Sequence, residues 1–127
     1  MKNMKLDHIG LIVSDIEKAL DWYKNMLGFE LKEHFSGYGM DFYYLEKNGT
    51  VYEIRENPSM NPHYMGKVDH MAFTSEDIKA DYEYFKSQGA QFVTNGIGHL
   101  DFIGENGVDF FMIMSDTQEV IEFCKRR

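Results

Sequence analysis

Apolar residues alternate at Ile9, Leu11 and Val13, with His8, Gly10 and Ile12 between them, which predicts a strand. The period then changes. Ile16, Ala19, Leu20, Tyr23 and Leu27 fall on one helical stripe. Ser14 and Glu17 have the spacing of a capping box, and Gly28 suits the end of the helix. Residues 42–45 and 50–54 follow as a hairpin, joined through the turn pair Asn48-Gly49.

The same succession recurs. Leu6-Asp-His-Ile-Gly-Leu-Ile-Val-Ser-Asp-Ile16 returns as Val68-Asp-His-Met-Ala-Phe-Thr-Ser-Glu-Asp-Ile78, a constant offset of 62. Asp7, His8, Asp15 and Ile16 reappear identically as Asp69, His70, Asp77 and Ile78. Ile78, Tyr82 and Phe85 repeat the helical stripe, and Gly89 repeats Gly28. Asp15 and Asp77 are placed to serve the helix N-termini. Residues 110–114 and 120–123 repeat the closing hairpin. The chain is therefore α+β, two tandem β-α-β-β-β modules over residues 4–56 and 67–127. The link is residues 57–66, with Pro58 and Pro62. A module of about 55 residues buries too little surface to stand alone. Two should pair as one domain over residues 1–127, with curved mixed sheets forming a concave cleft.

Strand parity selects the candidate chemistry. His8 and His70 point away from the apolar faces of their strands, as Glu53 and Glu122 do on the strands at 51–55 and 120–124. The duplication maps His8 onto His70 and Glu53 onto Glu122. Two imidazoles and two carboxylates on the non-helix face suit a divalent metal with open water positions. A single histidine or glutamate on a strand is ordinarily structural or solvated. Duplication alone could preserve a packing histidine, but it leaves the matching carboxylate in both closing strands unexplained. His34, His63 and His99 have no counterpart in the repeat and read as surface or loop residues. Cys124 shares the parity of Glu122 and reads as a small buried hydrophobe. Tyr38, Phe42, Tyr44, Phe102 and Phe110 fit a pocket wall, though aromatic strand residues are more often core.

Composition narrows the function. The 127 residues carry a net charge of −8, and Arg55, Arg126 and Arg127 are the only arginines. Such a chain repels a phosphate backbone and offers anionic lipid no basic patch, so no nucleic acid and no membrane is expected. One cysteine excludes an internal disulfide. The apolar run at residues 9–13 is too short for a signal peptide or membrane span, which places the chain in the cytoplasm. Gly96-x-Gly98 has no third glycine and is no dinucleotide fingerprint.

Residues 6–29, running from Leu6-Asp-His-Ile-Gly10 to Trp22-Tyr23-Lys24 and Gly28-Phe29, resemble the opening motif of the vicinal oxygen chelate superfamily. Val68-Asp-His-Met-Ala-Phe73 resembles its second opening. That superfamily includes glyoxalase I, methylmalonyl-CoA epimerase, extradiol dioxygenases and antibiotic-resistance proteins. The order His8, Glu53, His70, Glu122 resembles bacterial glyoxalase I; the epimerase is similar, with Gln often replacing one Glu. The resemblance implies Ni²⁺ or Co²⁺, with Zn²⁺ also suited, and a homodimer acting on a small-molecule substrate. It implies a lyase or isomerase that abstracts a proton next to a carbonyl, with Glu122 as base and Glu53 as its pseudo-symmetric partner. The implied substrate is a hemithioacetal of a 2-oxoaldehyde such as methylglyoxal. Alternatives are an acyl-CoA epimerase, a binding protein that sequesters an antibiotic, or a vestigial site. Ile12 stands where glutathione-using glyoxalases commonly have Arg, and Ser115-Asp-Thr-Gln118 replaces the usual Asp-Pro-Asp-Gly turn.

Overall fold

The computed structural model describes residues 4–63, 66–116 and 119–127. Thr117 and Gln118 of the last turn lie outside the described residues. The chain divides into two compact units, His8–Asp69 and the residues before His8 together with His70–Arg127. Among the described residues no helix is long and apolar enough to cross a membrane.

In the first unit, β1 (Leu6–Val13) leads into α1 (Ile16–Leu27), then β2 (Glu30–Gly37), β3 (Met40–Lys47) and β4 (Thr50–Glu56). The sheet order is β2-β3-β4-β1, antiparallel except for the parallel β1–β4 pair. Leu11, Phe29, Leu45 and Ile54 form its core, and Ile9, Val13, Ile16, Leu20 and Tyr23 pack against them. Leu45 and Ile54 are fully buried, each worth about 1.5–3 kcal/mol of transfer free energy. Leu27, expected on the buried stripe, is exposed at the helix end.

Capping also departs from expectation. The N-cap of α1 is Asp15, not Ser14. Its extended backbone turns the carboxylate back onto the Lys18 N–H at 3.1 Å. Glu56 accepts from the next free donor, the Ile16 N–H, at 2.9 Å. Gly28 ends the helix at φ 78°, a left-handed conformation in which Phe29 N–H reaches back to the Tyr23 carbonyl. Asn48 and Gly49 both have positive φ, as a two-residue hairpin turn between twisted strands requires.

In the second unit, β5 (Val68–Thr74) is followed by α2 (Ile78–Ser87), β6 (Gln91–Phe92), β7 (Gly98–Leu100), β8 (Val108–Met114) and β9 (Val120–Arg126). β5 runs parallel to β9, β9 antiparallel to β8, and both β6 and β7 pair with β8. The strand expected after α2 thus comes in two short pieces. Asp77 caps α2 through the Ala80 N–H, as Asp15 caps α1. Phe111 is fully buried and packs with Tyr82, Phe85, Phe92 and Phe123.

At the edge of this unit Asp109 joins two strands and the C-terminal residue. His99 Nδ1 lies 2.7 Å from its Oδ1, and Arg127 Nε donates to Oδ2 at 3.0 Å. Burial pushes this carboxyl up, but the hydrogen bonds and charges of His99 and Arg127 outweigh it and hold it below the ordinary carboxyl value. The folded value is depressed, so the stabilisation is present above the ordinary carboxyl value and lost as pH falls through the lower folded value. Asp109→Asn should therefore lower the thermal midpoint at neutral pH, with the difference shrinking below about pH 4. A difference in midpoint that stays constant across that range would refute the account.

Candidate metal centre

Among the described residues, each unit carries one buried histidine and one buried glutamate. In the first, His8 and Gly10 share the face of β1 opposite the core, and Gly10 stands directly beside Glu53 of β4. The glycine leaves this stretch of the face clear between the His8 and Glu53 side chains. His8 Nε2 lies 3.3 Å from Glu53 Oε2. On the other side β3 brings Tyr44 opposite Glu53, and the Tyr44 hydroxyl donates to the same Oε2 at 2.6 Å. The Tyr44 and His8 rings meet edge to face, 5.8 Å between centroids.

The second unit repeats the plan. His70 and Ala72 share one face of β5, and Ala72 stands beside Glu122 of β9. Ala72 takes the place of Gly10, a small residue at the same step. On β8 the residue opposite Glu122 is Met112. At the next cross-strand neighbour the two halves differ: Tyr44, opposite Glu53, donates its hydroxyl proton to it, while Met112, opposite Glu122, carries a thioether with no proton to donate.

His8, Glu53, His70 and Glu122 are exposed by only 4%, 6%, 6% and 8%. With Ser75 they make up the buried polar residues among those described. Burying an imidazole or a carboxylate costs free energy unless it is paired or bound to an ion. The chain holds 21 acidic residues. Among the described ones, the two carboxylates taken out of water are the two that strand parity selects. Cis ligands about 2.1 Å from one divalent ion lie about 3 Å apart. The 3.3 Å between His8 and Glu53 fits that geometry, and an N/O donor set suits Ni²⁺, Co²⁺ or Zn²⁺.

The other histidines are engaged elsewhere. His34 stacks on Tyr43 at 4.0 Å and bonds Asp41, His99 holds Asp109, and His63 is exposed. Cys124 is buried and shares the face of Glu122. Of the aromatic residues suggested as a pocket wall, Tyr44 belongs to the site, with Phe35 packed on its edge at 5.9 Å. Tyr38 is an exposed turn residue at φ 52°. Strand parity does not pair Tyr44 with Glu53, although the two-residue turn carries the signal. Asn48-Gly49 sets Lys47 opposite Thr50, and counting inward sets Tyr44 opposite Glu53.

Residues 5–102 match the Glyoxalase/Bleomycin resistance protein/Dioxygenase superfamily. The chain is 32% identical over 127 residues to the uncharacterized protein YwbC of Bacillus subtilis strain 168, covering 96% of this chain and 98% of that one. It is 32% identical over 102 residues to the lactoylglutathione lyase of Neisseria meningitidis strain Z2491, covering 71% and 70% of the two chains. Its fold matches the crystal structure of methylmalonyl-CoA epimerase from Mycobacterium tuberculosis, with a TM-score of 0.78 at 20% identity, over 96% of this chain and 87% of that one.

Proposed function

Because the chain belongs to the Glyoxalase/Bleomycin resistance protein/Dioxygenase superfamily, we propose that it is a metal-dependent lyase or isomerase that moves a proton next to a carbonyl. The substrate in this reading is a hemithioacetal of a 2-oxoaldehyde such as methylglyoxal. One observation carries it: among the described residues, the buried imidazoles and carboxylates are two His/Glu pairs at equivalent positions of a duplicated strand pair. The lactoylglutathione lyase relative supports the choice of reaction.

His8, Glu53, His70 and Glu122 hold the ion, with Ni²⁺ or Co²⁺ favoured and Zn²⁺ admitted. The ion, when bound, supplies Lewis acidity to adjacent substrate oxygens. His8 and His70 serve as neutral imidazoles. Tyr44 fixes Glu53 through its 2.6 Å hydrogen bond, which suits a carboxylate that must stay in place. Glu122, opposite Met112, takes the proton from the substrate carbon and returns it to the neighbouring carbon. The two modules act as one domain, and the working form is a homodimer. A single cysteine suits a cytoplasmic protein.

The test is turnover. Protein loaded in turn with Ni²⁺, Co²⁺ and Zn²⁺ is assayed on methylglyoxal hemithioacetals and on 2-substituted acyl thioesters. Thioester formation from the hemithioacetal is the expected result. Exchange of the α-proton of an acyl thioester, with no change in the hemithioacetal, moves the reading to an epimerase. No turnover of either class overturns it.

A further inference from the structure

Three Asn-Gly pairs punctuate the chain, at Asn48-Gly49, Asn95-Gly96 and Asn106-Gly107. Each asparagine is exposed, and the glycines have φ of 86°, 80° and 84°. Glycine has no Cβ to block its own backbone nitrogen, so the preceding carboxamide can approach it. The surroundings of the three pairs differ at one point. A methyl group placed on Gly49 or Gly96 would meet no atom within 4 Å. On Gly107 it would lie 2.6 Å from Cε1 and 2.8 Å from Nε2 of His99. The His99 imidazole therefore packs directly on the Gly107 backbone, with its Nε2 edge against the glycine.

The orientation of that ring is fixed. Its Nδ1 lies 2.7 Å from Asp109 Oδ1, and Arg127 Nε donates to Oδ2 at 3.0 Å. An ionised carboxylate only accepts, so in the neutral ring Nδ1 carries the proton. The lone pair then sits on Nε2, the edge that meets Gly107. The Gly107 carbonyl accepts from the Arg127 N–H at 2.9 Å, which ties down the other end of the glycine. Asn106 stands in the exposed turn between β7 and β8, with its side chain ahead of this held residue.

We propose that Asn106 is a site of self-modification, with His99 as the base that draws the proton from the Gly107 N–H. The Gly107 nitrogen attacks Asn106 Cγ and a C–N bond forms. The proton passes to His99 Nε2 and from there to the side-chain amine, which leaves as ammonia as its own C–N bond breaks. Water then opens the five-membered imide at either carbonyl and gives aspartate or iso-aspartate. The sum is asparagine plus water to aspartate plus ammonia, with no oxidant or reductant. The new carboxylate stands beside Glu105 in a chain of net charge −8. The iso-aspartyl form also adds one carbon to the backbone just before Val108 pairs with Leu100. Both changes loosen the β7–β8 turn. His99, Asn106 and Gly107 lie outside the proposed metal centre, so the modification proceeds without turnover.

Mass at each pair tests this. Folded wild type is incubated for days at neutral pH and digested. Each asparagine is scored by its gain of one mass unit, and iso-aspartate is counted by methyl transfer from an isoaspartyl methyltransferase. Asn106 is expected to convert on the order of 10-fold faster than Asn48 and Asn95, below the range of a base in a preformed site because the carboxamide must still swing onto the Gly107 nitrogen. In urea-unfolded chain the three rates should converge. His99→Gln keeps a planar side chain that can bond Asp109 but is no base, and it should bring Asn106 down to the rate of the other two. Asp109→Asn keeps the imidazole, removes its orienting carboxylate, and should slow Asn106 in the same direction. A ring that only packs predicts the reverse, since its loss would free the turn and speed the reaction. Folded wild type in which Asn106 is no faster than the other pairs overturns the proposal. So does a rate that either variant leaves unchanged or raises.

Discussion

Replacing Glu122 by Gln is expected to lower kcat for the hemithioacetal by about 100- to 10,000-fold, the range supplied by a positioned general base. The amide keeps the shape and a carbonyl oxygen but cannot take up a proton. Metal content, read by native mass spectrometry, should therefore survive while turnover falls. Glu53→Gln should behave differently. Glu53 receives the Tyr44 proton and contacts His8, so an amide there can set its NH₂ against the phenol proton and loosen a held ligand. Its expected signature is weakened metal uptake with residual turnover at high metal. The contrast follows from one cross-strand difference, Tyr44 opposite Glu53 and Met112 opposite Glu122. Glu122→Gln protein with full metal and wild-type turnover would remove Glu122 from the chemistry. Solvent deuterium in the product adds a second reading: its appearance requires that the base exchange its proton before returning it.

Much of this plan was legible in the chain because strands have a period of two and the chain is written twice. Parity alone puts His8 and Glu53 on one face and Leu11 and Ile54 on the other, and the structure keeps both assignments. The helix ends were less legible. Ser14, Asp15 and Glu17 offer two overlapping capping patterns. The backbone decides between them, since Asp15 has the extended conformation that aims its carboxylate at the Lys18 N–H. The broken strand after α2 was not legible at all. Gln91–Phe92 and Gly98–Leu100 are too short to show alternation, and only their pairing with β8 makes them strands.

Stripping the metal should cost the wild type stability as well as activity, and His8→Ala should show little further loss. An ion held at 100 times its dissociation constant contributes about 2.7 kcal/mol to the folded state. For a domain of this size that moves the thermal midpoint by on the order of 10 °C. The effect has a local cause. His8 and Glu53 are both buried at 3.3 Å, where a bound ion would offset the cost of keeping a carboxylate out of water. Chelation leaves Glu53 with the Tyr44 proton and the His8 contact. His8→Ala removes the imidazole proposed as a ligand, so its midpoint should already sit near that of the stripped wild type and respond weakly to added Ni²⁺, Co²⁺ or Zn²⁺. The rival account, in which the imidazole and carboxylate only satisfy each other, predicts the opposite pattern. His8→Ala would then be destabilised, but the wild-type midpoint would ignore both the chelator and the three ions. That outcome, together with wild-type protein that carries no metal by mass spectrometry, would leave the buried pair as a structural hydrogen bond. It would also leave the face of the sheet that carries His8 and Glu53 to bind a small molecule without turning it over.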